Sequence, residues 1–190
     1  MLQGNQTVYG LSLFLAPLLM FISGFFWVNG EYGVTGGTIL ILSTVFWILA
    51  MIYLFGLLNT RIPGIAQWGL LTAIFGFFSG GLFGFVGVLT EIFGISHQTY
   101  IDAFAEYPVS TGLLLFWSGP LAPLSLILLG VLYLRNKTTK SWVAIMLIVG
   151  GLAFPASRIS RNEWLAHLAD IALLIPLCYL AMQILFAQRR

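Results

Sequence analysis

The sequence predicts an all-α, polytopic integral membrane protein with six transmembrane helices in a single domain spanning residues 1–190. Three observations carry that expectation. Hydrophobic residues make up 59% of the chain and charged residues 7%, with a mean hydropathy of +0.99. Soluble domains carry roughly 25% charged residues, so no water-facing surface can be assembled from this composition. The apolar residues also fall into six runs, most of them near the ~20 residues that a helix needs to cross a bilayer. Finally, charge is segregated. Glu31, Glu91, Asp102, Glu106, Glu163 and Asp170 fall at connections that share one face, whereas Arg61, Arg135, Lys137, Lys140, Arg189 and Arg190 fall on the other.

The first span, 9–28, lacks a basic leader and is long enough to cross, which reads as a retained helix and not a cleaved signal. Pro17 kinks it by removing a backbone donor. The second, 36–58, contains no charged residue and no proline. The third, 68–93, carries Gly76, Gly80 and Gly84 at every fourth residue, a small-residue face that lets a neighbouring helix backbone approach closely. In the connection 94–112, Thr99 and Asp102 have capping-box spacing, and Ile101, Phe104 and Ala105 share a face. A short amphipathic helix is expected there, ended by Pro108 and serving as a surface linker or a lid. The fourth span, 113–134, is interrupted at Gly119-Pro120 and Pro123; the fifth, 142–154, is short and stops at Pro155; the sixth, 164–187, contains Pro176. Backbone groups in lipid must be satisfied within the segment, so all six runs are helices.

Leu15-Ala16-Pro17-Leu18 with Gly24 recurs as Leu121-Ala122-Pro123-Leu124 with Gly130. Three spans per half would make this a 3+3 inverted repeat, an architecture found in transporters. Trp27, Tyr32, Tyr107 and Trp164 fit one interfacial aromatic belt, and Tyr9, Trp68, Tyr133 and Trp142 fit the other. The basic connections share a face with both termini, so the positive-inside rule predicts a cell-membrane protein with both termini in the cytoplasm. No basic cluster exceeds the Arg135–Lys140 loop, which argues against nucleic acid as a partner. The expected partners are the lipid bilayer and, as open alternatives, further copies of the chain or a larger membrane complex. The lone Cys178 excludes an intramolecular disulfide and a Cys-based metal site.

The densest chemistry lies between Pro155 and Asp170. Arg158 and Arg161 are basic residues on an otherwise acidic face, and Glu163, His167 and Asp170 project from nearly one side of the sixth helix. An ionised Asp at a helix centre costs roughly 2.5–3.5 kcal/mol on insertion scales, so Asp170 should be paired or neutralised inside the protein. An early end to the fifth helix would leave a gap beside the sixth, and an outward-open cavity lined by His167, Asp170 and at least one arginine is expected. Glu91 and His97 lie on the same side and could join the set. These seven residues are the candidate ligand- or ion-binding groups. Two His and several carboxylates also suit zinc, iron or manganese, or a bis-His haem, but no HExxH or paired ExxH spacing is present, so the metal and the cofactor stay unassigned. The favoured function is a small transporter or ligand-binding membrane protein with an outward-facing polar pocket for a cation, proton or polar substrate. The alternatives are a non-catalytic subunit of a larger membrane complex and an intramembrane metal- or haem-dependent enzyme using His97 and His167. No catalytic residue is identified.

Overall fold

The computed structural model describes residues 6–28 and 30–187; Arg189 and Arg190, two of the basic residues used above for topology, lie outside them. The elements run α1 (Gln6–Gly24), α2 (Gly33–Gly56), α3 (Pro63–Phe93), α4 (His97–Ala105), α5 (Pro108–Thr111), a π-helical turn (Gly112–Phe116), α6 (Leu121–Asn136), α7 (Ser141–Ser160) and α8 (Glu163–Ala187). Among the described residues, six helices are long and apolar enough to cross a membrane: α1, α2, α3, the composite span Pro108–Asn136, α7 and α8. The protein is therefore an all-α, multi-pass membrane protein. Its lipid-facing surface is apolar, with Leu42, Phe75, Phe78, Leu152, Ile175 and Met182 all exposed.

Each span packs on its neighbours in the chain, α3 packs on α6, and α8 closes back onto α1. The six spans thus stand in a closed ring, in sequence order. That order does not support the 3+3 inverted repeat. A two-fold axis in the membrane plane would reverse the order of helices around the ring, whereas a shift by three spans preserves it. The prolines of the echo also differ in setting, since Pro17 lies inside α1 and Pro123 in the first turn of α6.

Three other expectations are corrected. Pro155 does not end its helix: α7 continues to Ser160 and stops at Arg161, whose φ of 50° is left-handed. A proline removes one hydrogen bond and crowds the preceding turn, which kinks a packed helix without obliging it to stop. Of the two breaks expected in the fourth span, the one at Gly119-Pro120 is present, within an irregular stretch over Gly112–Pro120, and Pro123 makes none. There a π-helical turn carries the Trp117 N–H to the Gly112 carbonyl at 2.7 Å, and Pro120 then offers no N–H. Pro123 sits in a first turn, where a missing donor costs little. The amphipathic helix of the 94–112 connection is present as α4 and ends before Pro108, but its cap is Ser96, whose hydroxyl accepts from Thr99 N–H at 3.2 Å.

The ring is filled at the end where α1 begins and α8 ends. Leu54, Phe55, Leu58, Leu129 and Leu177 are buried there, and the buried Tyr133 hydroxyl donates to the Leu54 carbonyl at 2.8 Å. On the same side, Arg61 in the α2–α3 turn donates to the carbonyl of Asn136, joining two connections that the charge pattern had placed together. Tyr133→Phe should lower stability by about 1 kcal/mol by stranding that carbonyl, measurable as a lower thermal midpoint in detergent.

The glycine face of α3 divides between two tasks. A Cβ on Gly76 would overlap the backbone at Leu121–Ala122, and one on Gly84 would stand 2.9 Å from the Gly37 carbonyl of α2. Those two positions are helix-packing contacts. Gly80 lies between them and a Cβ there meets only Thr44, at 3.8 Å. It faces open space within the ring.

Candidate functional site

At the end of the ring opposite the termini, the helices enclose a cavity of about 510 Å³. Its depth is apolar and aromatic: Trp47 stacks on Phe77 with centroids 4.7 Å apart, and Gly80, Phe83, Phe116 and Leu126 complete the wall. Its mouth is polar, formed by Glu31, Tyr32, His97, Tyr100, Arg158 and Arg161. α4 roofs it through His97, Tyr100, Ile101 and Phe104. The volume falls in the roughly 300–1,000 Å³ range of small-molecule sites, and an apolar lining with a few convergent polar groups is their usual character.

A tight turn builds the basic part of the mouth. Arg161 closes α7 in the left-handed conformation, the Asn162 N–H bonds back to the Ser157 carbonyl at 3.1 Å, and the Asn162 side chain accepts from Leu165 N–H at 3.0 Å to cap α8. Asn162→Ala should cost about 1 kcal/mol through loss of that cap, read from thermal denaturation. The turn sets Arg158 and Asp170 on adjacent, antiparallel helices. Asp170 lies about 10 Å along α8 at the 1.5 Å rise per residue, and the long Arg158 side chain reaches down to it. Their closest approach, Nη2 to Oδ2, is 3.6 Å. Asp170 is fully buried and Arg158 is 17% exposed. The guanidinium also lies 4.4 Å from the Trp27 ring centre and 4.9 Å from that of Phe154, favourable cation–π distances. Trp27 is 4% exposed, so it is a wall of the site and not the interfacial belt residue expected. Among the described residues, neither Asp170 carboxylate oxygen and none of the three guanidinium nitrogens of Arg158 has a hydrogen-bond partner.

A second cluster sits at the rim. His97 Nδ1 is 2.9 Å from Glu31 Oε1 and 2.6 Å from the Tyr100 hydroxyl, while His97 Nε2 is 2.8 Å from Arg161 Nη2. A guanidinium can only donate, so Nε2 accepts and the ring proton rests on Nδ1, directed at Glu31. The Arg161 side chain crosses Gly30, whose φ of +86° and lack of a Cβ admit it. Burial pushes the Tyr32 phenol above its usual range, against the opposing pull of Arg158, and burial likewise raises Tyr100, with Glu31 adding to the effect and Arg161 opposing it. Both therefore enter the site as neutral hydroxyls that can donate or accept.

The seven predicted site residues separate into groups. Arg158 and Arg161 line the cavity, and so does His97. Asp170 and His167 stand behind the wall. Gly24 of α1 leaves them room, since a Cβ there would be 3.2 Å from the Asp170 carboxylate and 3.4 Å from the His167 ring. The expected lining by His167 and Asp170 is thus not the arrangement found: the cavity opens inside the ring, whereas these two face the α1–α8 seam. His167 packs on Phe25 at 4.5 Å, with Nδ1 buried and unpartnered. Glu91 caps α2, accepting from Val34 N–H, where a carboxylate complements the helix N-terminus. Glu163 is exposed at the start of α8.

Both ring nitrogens of His97 are taken by its neighbours, and among the described residues no three His, Cys, Asp or Glu side chains group as a metal site would require. The sequence missed Glu31, Tyr32, Tyr100, Trp27 and Trp47. Four of them sit in loops or at the surface by every local signal, and only the fold gathers them. Comparison with known protein families, curated proteins and solved structures finds no match to this chain.

Proposed function

We propose that the protein is a small transporter or ligand-binding membrane protein whose outward-facing cavity receives an amphipathic small molecule. The cavity of about 510 Å³, with its polar mouth and aromatic depth, carries the reading. The packed half of the ring below it fits a site open to one side only. A bare cation or proton is less well supported, because the buried Asp170 carboxylate stands behind the cavity wall and the charged groups on it are chiefly arginines.

A fluorescence experiment tests the reading. In nanodiscs, a dodecyl chain brominated at its far end should quench Trp47, with Trp47→Phe as the control for other tryptophans. Gly80→Leu, which fills the space facing Thr44, should abolish that quenching while the protein stays folded. Equal quenching in wild type and Gly80→Leu would sink the proposal. Accumulation of the probe in proteoliposomes separates transport from binding.

The reading includes a cell-membrane location with cytoplasmic termini, supported by the basic connections at Arg61 and Arg135–Lys140. A cysteine placed at Gln98 should react with an impermeant reagent added outside cells, and one placed at Asn136 should not. The reverse pattern would invert the protein and turn the cavity inward.

A further inference from the structure

Resting on the reading that the cavity holds an amphipathic ligand, we infer that the ligand's head is acidic, a carboxylate or phosphate, and that Arg158 receives it. Among the described residues, the buried hydrogen-bonding capacity left unclaimed at the mouth is cationic. Arg158 lines the cavity, and its Nε, Nη1 and Nη2 are buried without a hydrogen-bond partner among the described residues. Its ionic neighbour among the described residues, Asp170, is 3.6 Å away, beyond hydrogen-bond distance, and lies behind the wall. The guanidinium is meanwhile fixed on the Trp27 ring at 4.4 Å, which holds the planar fork in place. A fixed fork with free N–H groups suits bidentate recognition of a planar or tetrahedral oxyanion.

The carboxylate at the rim is partly engaged. Glu31 Oε1 accepts from His97, which in turn accepts from Arg161, so a cationic head approaching Glu31 also meets the Arg161 charge held beside it. An ammonium entering the mouth would meet two guanidinium groups. A neutral alcohol could accept from Arg158 but would leave the rest of the fork unpaired. An oxyanion satisfies the fork and partly offsets the arginine charges. Below the head, the Trp47–Phe77 stack and Gly80 leave a channel for an apolar body.

The experiment compares ω-bromododecanoic acid, ω-bromododecanol and ω-bromododecylamine by quenching of Trp47 in zwitterionic nanodiscs. The acid should bind about tenfold tighter than either of the others, the scale of a charge-assisted hydrogen-bonded pair. Arg158→Lys keeps the charge and loses the fork, so it should fold and lose most of that preference. Repeating the titration with phosphatidylglycerol in the nanodisc distinguishes two sources of the head. Competition assigns the site to an acidic membrane lipid, its absence to a free acid, and either result keeps the acidic head. Equal affinity for the three probes would overturn the inference and leave the proposed function standing. Failure of all three to quench beyond the Gly80→Leu background would overturn both.

Discussion

Arg158→Met should destabilise the protein by about 3–5 kcal/mol, the cost of stranding the buried carboxylate of Asp170. The aspartate is 0% exposed, and its nearest cation stands at 3.6 Å. Methionine fills much of the volume and keeps contact with Trp27 and Phe154, so lost packing contributes little. The double variant Arg158→Met/Asp170→Leu should recover most of the loss, because replacing a buried pair with apolar groups of similar size is often neutral or better. Reversible unfolding in detergent measures both. If the single variant loses less than about 1 kcal/mol, Asp170 has another means of neutralisation. Asp170→Asn separates the two roles of the pair: a structural carboxylate yields a lower unfolding midpoint with binding retained, and a functional one yields lost binding at an unchanged midpoint.

Gly76→Leu should be the second severe change. A Cβ at that position would overlap the backbone of Leu121–Ala122, and backbone cannot swing aside as a side-chain tip can. The expected cost is ~3 kcal/mol, the upper end for overpacking, together with loss of the α3–α6 contact that joins the third and fourth spans. Gly80→Leu, one turn away, should be neutral or slightly stabilising, since leucine has the better helix propensity and the space beyond it is open. A pair of thermal midpoints decides this. Similar losses at the two positions would mean that α3 uses all its glycines for packing and that the cavity is narrower than described.

The six spans were legible in the sequence because lipid imposes a severe condition on composition: a crossing segment must be apolar and helical, and nothing else in 190 residues competes with that signal. The Arg158–Asp170 pairing was also within reach, because a charge buried in an apolar helix needs a partner and the α7–α8 hairpin offers few. The cavity was not legible. It is a gap among side chains of all six spans, and no periodicity records a gap. The rim cluster was equally hidden, since Glu31, His97, Tyr100 and Arg161 come from three connections far apart in the chain. Trp27 and Tyr32 were misassigned for a related reason: an aromatic residue near a helix end carries the same local signature whether it meets lipid headgroups or a guanidinium. Pro155 misled because its effect on a helix depends on whether the following turn is packed, and α7 continues against α6 and α8.

A ring laid down in chain order has a consequence for biosynthesis. Each new span leaving the insertion machinery finds its lateral partner in the span made just before it, so most of the assembly proceeds through near neighbours, a topology that favours rapid folding. One seam is different. α1 and α8 must meet across the full length of the chain, with Leu185 packed over Gly10 and the Asp170 carboxylate set against Gly24. Until α8 emerges, the ribosome holds a five-walled trough, open on one flank to acyl chains and carrying Arg158 without its counter-ion. The last helix therefore completes the wall and brings the Asp170 carboxylate to Arg158 in one step.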